Sequence, residues 1–137
     1  MLVNGETLLG VVQSKEYRYY KYYLDCDDCI LMVSAGSFTA YGDPDLFVSF
    51  GEDDLPTREH NDFSSATYRN ENLEINRKAN NPHDANVSNR GYYVIGVFGR
   101  SNTTYWLQAQ SMKYPIMRIS QGLTRSITQG AKQEKNY

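Results

Sequence analysis

Little in this chain points to catalysis, membrane insertion or nucleic-acid binding. Its 137 residues hold no run near the roughly 18 apolar residues of a spanning helix, so membrane insertion is not expected. Fourteen Lys and Arg stand against 16 Asp and Glu, a net charge of −2. No basic surface dominates, and nucleic acid is not an expected partner. There is no Gly-x-Ser-x-Gly, no His-Glu-x-x-His, no P-loop and no dinucleotide fingerprint, so an enzyme is not expected. EF-hand spacing is missing too. Histidines number two and cysteines two, which leaves few residues for a zinc centre or a redox pair. No ten-residue segment carries a 3.6-residue apolar period. The start, Met1 to Gly5, lacks the basic and apolar character of a signal segment. A mature product or a piece of a longer chain would look the same.

What is present is strand-forming. Tyr occurs 12 times, and Tyr, Val, Phe and Thr favour strands. Strand-like runs are separated by Gly, Asp, Asn and Pro clusters: Leu8 to Gln13, Tyr17 to Leu24, Cys29 to Ala35, Leu46 to Phe50, Asn72 to Arg77, Tyr92 to Phe98 and Thr104 to Gln110. Met117 to Ser120 is a candidate eighth. This pattern predicts an all-β fold, an antiparallel jelly-roll-like β-sandwich of about 7–8 strands. A chain of this length makes one domain able to bury a core. In Gly91 to Gly99, Tyr93, Ile95 and Val97 share one face, and Tyr92, Val94, Gly96 and Phe98 the other. Both faces are apolar, which predicts a central strand. Gly96 leaves room for a neighbouring side chain to approach closely. Trp106 is expected in the core, beside that strand. Two polar stretches, Gly51 to Asn70 and Lys78 to Arg90, read as loops, where binding and tolerated insertions both concentrate.

The order of pieces is more specific than any one of them. A Gly-containing strand (Gly5 to Gln13) precedes Tyr17-Arg18-Tyr19-Tyr20-Lys21-Tyr22-Tyr23, then the apolar Ile30 to Ser34. Gly42-Asp43-Pro44-Asp45-Leu46-Phe47-Val48 follows, a turn opening into a strand, and later Glu74-Ile75. Gly91-Tyr92-Tyr93-Val94-Ile95-Gly96-Val97-Phe98-Gly99 comes before Thr104-Tyr105-Trp106-Leu107. Over residues 2 to 111 this resembles the bacterial pre-peptidase C-terminal domain and the related collagen-binding domains of secreted collagenases. The resemblance implies a secreted, jelly-roll-like sandwich, appended to other domains and often repeated. It implies a binding or secretion-associated role, with calcium bound by some members. The insertion between Arg77 and Gly91 departs from the compact family pattern.

Cys26-Asp27-Asp28-Cys29 lies between two strand-like runs. Two acidic neighbours raise thiol pKa values, which argues against redox catalysis. Residues i and i+3 of a turn are close enough for a disulfide. Cys26 and Cys29 are therefore read as a disulfide clamping the tip of a hairpin. The alternatives are free thiols, or zinc shared with His60 and His83. Acidic residues cluster at Asp25, Asp27 and Asp28, at Asp43 and Asp45, and at Glu52, Asp53 and Asp54. Loop carboxylates suit calcium, and they equally suit solvated turns. By the resemblance, Asp43 and Asp45 are the best calcium candidates, although the fold requires no cofactor. Two sequons, Asn86-Val87-Ser88 and Asn102-Thr103-Thr104, fall in expected loops and would carry glycans in a eukaryotic secreted protein.

Residues 1–113 are thus expected to form the sandwich, and 114–137 a linker. That tail resembles the start of the chain shifted by 117 positions: Gly122 falls on Gly5, Thr124 on Thr7, Lys132 on Lys15 and Tyr137 on Tyr20. It reads as the start of a following repeat or as a donor strand for a neighbouring copy; a plain polar tail is the alternative. The expected role is extracellular or cell-surface, structural or adhesive, with neighbouring copies of itself or adjacent repeats as partners. A second expectation is an accessory domain of a secreted hydrolase that grips a matrix protein or glycan. A third is a cytosolic domain with free thiols.

Overall fold

A computed structural model describes residues 1–67 and 70–113. Eight strands form: β1 (Thr7–Val12), β2 (Tyr17–Leu24), β3 (Cys29–Ser37), β4 (Pro44–Phe50), β5 (Phe63–Ser65), β6 (Asn70–Ile75), β7 (Gly91–Gly99) and β8 (Thr103–Lys113). One helical turn, α1 (Arg77–Asn80), lies between β6 and β7. The strands pair antiparallel in two four-stranded sheets, ordered β1-β8-β3-β6 and β2-β7-β4-β5. This is the strand order of a jelly roll. Every connection except β4 to β5 crosses from one sheet to the other. No described helix is long and apolar enough to cross a membrane.

Alternation decides which residues meet between the sheets. From one sheet come Val12, Leu31, Val33, Ala35, Ile75, Tyr105, Leu107 and Ala109; from the other Tyr22, Leu24, Leu46, Val48, Tyr93, Ile95 and Val97. Burying each large aliphatic side chain contributes roughly 1.5–3 kcal/mol before the entropy of ordering is subtracted. The Tyr-rich β2 splits cleanly. Tyr20 and Tyr22 point inward, where the Tyr20 hydroxyl meets that of Tyr105, while Tyr17 and Tyr19 point outward.

The outer face of the β2-β7-β4-β5 sheet is also covered, which is why β7 is apolar on both sides. Tyr17, Tyr19, Phe47 and Phe98 form an aromatic layer there, with the Tyr17 and Tyr19 rings 5.7 Å apart and stacked. The loop after β4 lies across it. The Tyr19 hydroxyl donates to the Pro56 carbonyl at 2.8 Å, and the Arg58 amide donates to the Tyr17 hydroxyl at 2.9 Å. At Gly96 an added Cβ would sit 3.0 Å from the Tyr19 ring, so the close approach expected from sequence is present.

Three expectations need correction. Trp106 does not enter the core. β8 lies in the sheet opposite β7, and its inward residues are Tyr105, Leu107 and Ala109; Trp106 faces outward, half-buried over Gly36. The strand placed at Asn72 to Arg77 is β6, which starts at Asn70 and stops at Ile75. It stops because Asn76 caps α1, its side-chain oxygen accepting from the Ala79 amide at 3.2 Å. β5, three residues long, falls inside the Gly51 to Asn70 stretch expected as loop. The candidate strand Met117 to Ser120, and the whole of 114–137, lie outside the described residues.

Candidate functional site

Cys26 and Cys29 lie at disulfide distance, with Cα atoms 5.4 Å apart. Their place differs from the expected one. β2 and β3 do not pair with each other, so the pair clamps an arch between the two sheets rather than the tip of a hairpin. The long segment before β7 is sewn onto this arch. Asn89, 1% exposed, donates to the Cys29 carbonyl at 2.8 Å and to the Asn76 side chain at 3.0 Å. Its own carboxamide oxygen accepts from the Lys78 amide at 2.9 Å. The Tyr93 hydroxyl donates to the Asn89 carbonyl at 2.6 Å, and burial pushes that phenol up to about 12.

The arch carboxylates are occupied as well. Asp27 accepts from Ser88 and pairs with Lys78 at 3.0 Å, and these contacts hold its carboxyl below the usual range. Asp25 pairs with Arg90 at 3.6 Å. In the third acidic cluster Glu52 pairs with Lys21 at 3.4 Å, and Asp54 lies 3.7 Å from His60. The zinc alternative finds no support in this geometry. Among the described residues the potential ligands gathered around the two cysteines add Asp28 and no histidine.

Asp43 and Asp45 behave differently. Pro44 opens β4, and Asp45, on the face that β4 shares with Phe47 and opposite Phe98 in register, is 1% exposed. Glu71, on β6 of the opposite sheet, joins them at 2% exposure. One oxygen of each of the three lies within 4.8 Å of one from each of the others. Arg100 donates through Nε to Asp45 Oδ2 at 2.8 Å. Glu71 Oε1 accepts from the Ser65 hydroxyl at 2.6 Å, the Thr67 amide at 3.0 Å and the Thr67 hydroxyl at 3.2 Å. Asp45 Oδ1 and Glu71 Oε2 are buried with no hydrogen-bond partner. Burial, more than any neighbouring charge, lifts both carboxyls above their ordinary range. An orphaned, buried carboxylate oxygen fits the chemistry of a hard cation site, so the group that the family resemblance implies passes this test.

Sequence reading missed Glu71. The signal was there: in Asn70-Glu71-Asn72-Leu73-Glu74-Ile75, Glu71 alternates in phase with Leu73 and Ile75 and so shares the inward face.

The sequon asparagines Asn86 and Asn102 are both exposed. Asn102 also accepts from the Ser14 amide at 2.8 Å. A groove of about 530 Å³ opens beside the arch, lined by Phe50, Asp54, Asp62, Phe63, Arg77 and Asn80 among others. Arg77 places its guanidinium 3.6 Å above the Phe50 ring. No protein-family model matches this chain, and no curated protein matches it.

Proposed function

We propose that this chain is an extracellular, non-catalytic β-sandwich module with a structural or adhesive role, a repeating unit of a cell-surface protein or extracellular filament. The observation that carries this reading is the Cys26–Cys29 pair at disulfide distance in the arch. Disulfides persist in oxidising compartments and are rare in the cytosol. The outer face of the β1-β8-β3-β6 sheet supports an adhesive or assembling role. Unlike its counterpart it presents Leu9 at 67% and Val11 at 58% exposure, with Trp106 half-buried between them and polar neighbours. Such a face suits a neighbouring module or a matrix protein. The echo of residues 2–20 in the tail supports an array, and the resemblance to pre-peptidase C-terminal domains agrees with a secreted module. Non-catalysis rests on the missing sequence signatures.

Intact-mass analysis of the secreted protein under non-reducing conditions tests the compartment. Free thiols at Cys26 and Cys29 would sink it. Electron microscopy tests the assembly: end-to-end strings or filaments are expected, and uniformly single particles at high concentration would remove the array.

The second reading, a ligand-binding accessory domain of a secreted hydrolase, is favoured by the groove at Phe50, Phe63 and Arg77. Aromatic rings beside Asp62 and Asn80 suit a sugar or peptide chain. A glycan-array or collagen-binding screen with Phe63→Ala as control separates it from the first reading.

A further inference from the structure

We propose that Asp43, Asp45 and Glu71 form a divalent-cation site of the calcium class that ties the two sheets together. Three oxygen donors converge within 4.8 Å, two of them on side chains almost wholly removed from water. In each of these two side chains one oxygen is fixed by protein donors, Asp45 Oδ2 by Arg100 and Glu71 Oε1 by Ser65 and Thr67. The second oxygen of each is thereby held in one orientation and left without a partner. A buried carboxylate oxygen with an open valence is costly to maintain. Evolution normally closes such a valence with a donor, a water or an ion.

Charge favours the ion. The two buried carboxylates, Asp45 and Glu71, face one bonded guanidinium, that of Arg100, and an added cation offsets the remainder. Arg58, on the covering loop, reaches Asp45 only through its longer-range field. The donor set is all oxygen, with no histidine or cysteine, which selects a hard cation over zinc or copper. Three carboxylates with water completing the shell suit the six to eight ligands that calcium takes.

Topology gives the site its consequence. Asp45 belongs to β4 in one sheet and Glu71 to β6 in the other. β4 and β6 touch without sharing backbone hydrogen bonds, so the ion would be a cross-link between layers. Its existence does not depend on the module's role outside the cell.

The test uses the full chain, stripped with a chelator, and calcium chloride as the probe. Calorimetric titration at neutral pH should show one saturable site, and calcium should raise the thermal midpoint. Glu71→Gln and Asp45→Asn keep the shape of each side chain. Both should abolish the saturable heat and the calcium-induced rise in midpoint. In the absence of calcium Glu71→Gln should melt at or above the parent, because a repelling charge has gone. A merely structural Glu71 would give the opposite, a lower midpoint and an intact calcium response. A parent with no saturable heat and no midpoint shift in millimolar calcium overturns the proposal, as does a Glu71→Gln protein that titrates like the parent.

Discussion

At the arch end of the sandwich, the buried Asn89 side chain meets protein partners with both its nitrogen and its oxygen; at the Asp45 end, two carboxylate oxygens have none. Asn89 and Glu71 show the contrast residue against residue. Both are polar and nearly inaccessible. Asn89 spends its donors on Cys29 and Asn76 and its acceptor on Lys78. Glu71 satisfies one oxygen three times over and the other not at all. Asn89 is satisfied within the polypeptide. The Asp45 end has the form of a site whose last partner comes from solution. Burial alone therefore does not set the proposed site apart; two buried carboxylate oxygens with open valences do.

Breaking the closed end should cost most. Asn89→Ala leaves the Cys29 carbonyl, the Lys78 amide and the Asn76 side chain short of a partner, and should destabilise by about 3 kcal/mol in urea unfolding. A loss below half of that would mean water substitutes for the side chain. Next comes the paired Cys26→Ser, Cys29→Ser variant. The bond it removes closes a short loop, so chain entropy predicts a loss of about 2 kcal/mol by the same measurement.

Alkali should loosen the same end by titration. A tyrosine ionises near pH ~10 when unfolded. Folded, Tyr93 keeps its proton to about 12, because burial disfavours the phenolate. Its contribution is then complete below pH ~10 and is lost as the pH rises through the folded value. Tyr105, shifted upward by burial and by its bond to Tyr20, adds in the same direction. Unfolding midpoints followed with tyrosinate absorbance should be flat into mild alkali and then fall. A Tyr93→Phe protein should fall less steeply.

The open end should respond with the opposite sign and a smaller size. In chelator, Glu71→Gln should equal or exceed the parent in thermal midpoint. The smallest effect belongs to Lys78→Ala. Its pair with Asp27 is exposed on both sides, and the melting curve should not move measurably.

Much of the architecture is legible in the sequence. Alternation located β1, β2, β3, β4, β7 and β8, and the two apolar faces of β7 announced its central place. What escaped was long-range. Whether β2 folds back on β3 or crosses to the other sheet depends on partners that a local pattern does not name. That choice decided the setting of Cys26 and Cys29, and the crossing from β7 to β8 decided that of Trp106. β5 is too short and too polar to show an alternation. In the candidate site Asp43 and Asp45 were visible from their turn, whereas Glu71 required knowing that β6 faces β4. Asn89 gave no signal at all, since one asparagine in an Asn-rich stretch looks like any other.

The pairing pattern also constrains how the molecule comes into being. Among the described residues, β1 pairs only with β8, and β2 only with β7. The first strand must wait for the eighth, so the sheet that holds β1 cannot be completed before β8 is made. Chain topologies dominated by such distant pairings fold slowly. The two cysteines, three residues apart, need no such wait. Their bond can form while the strands on either side are still unpaired, giving the nascent chain a fixed bend at the point where one sheet must leave the other.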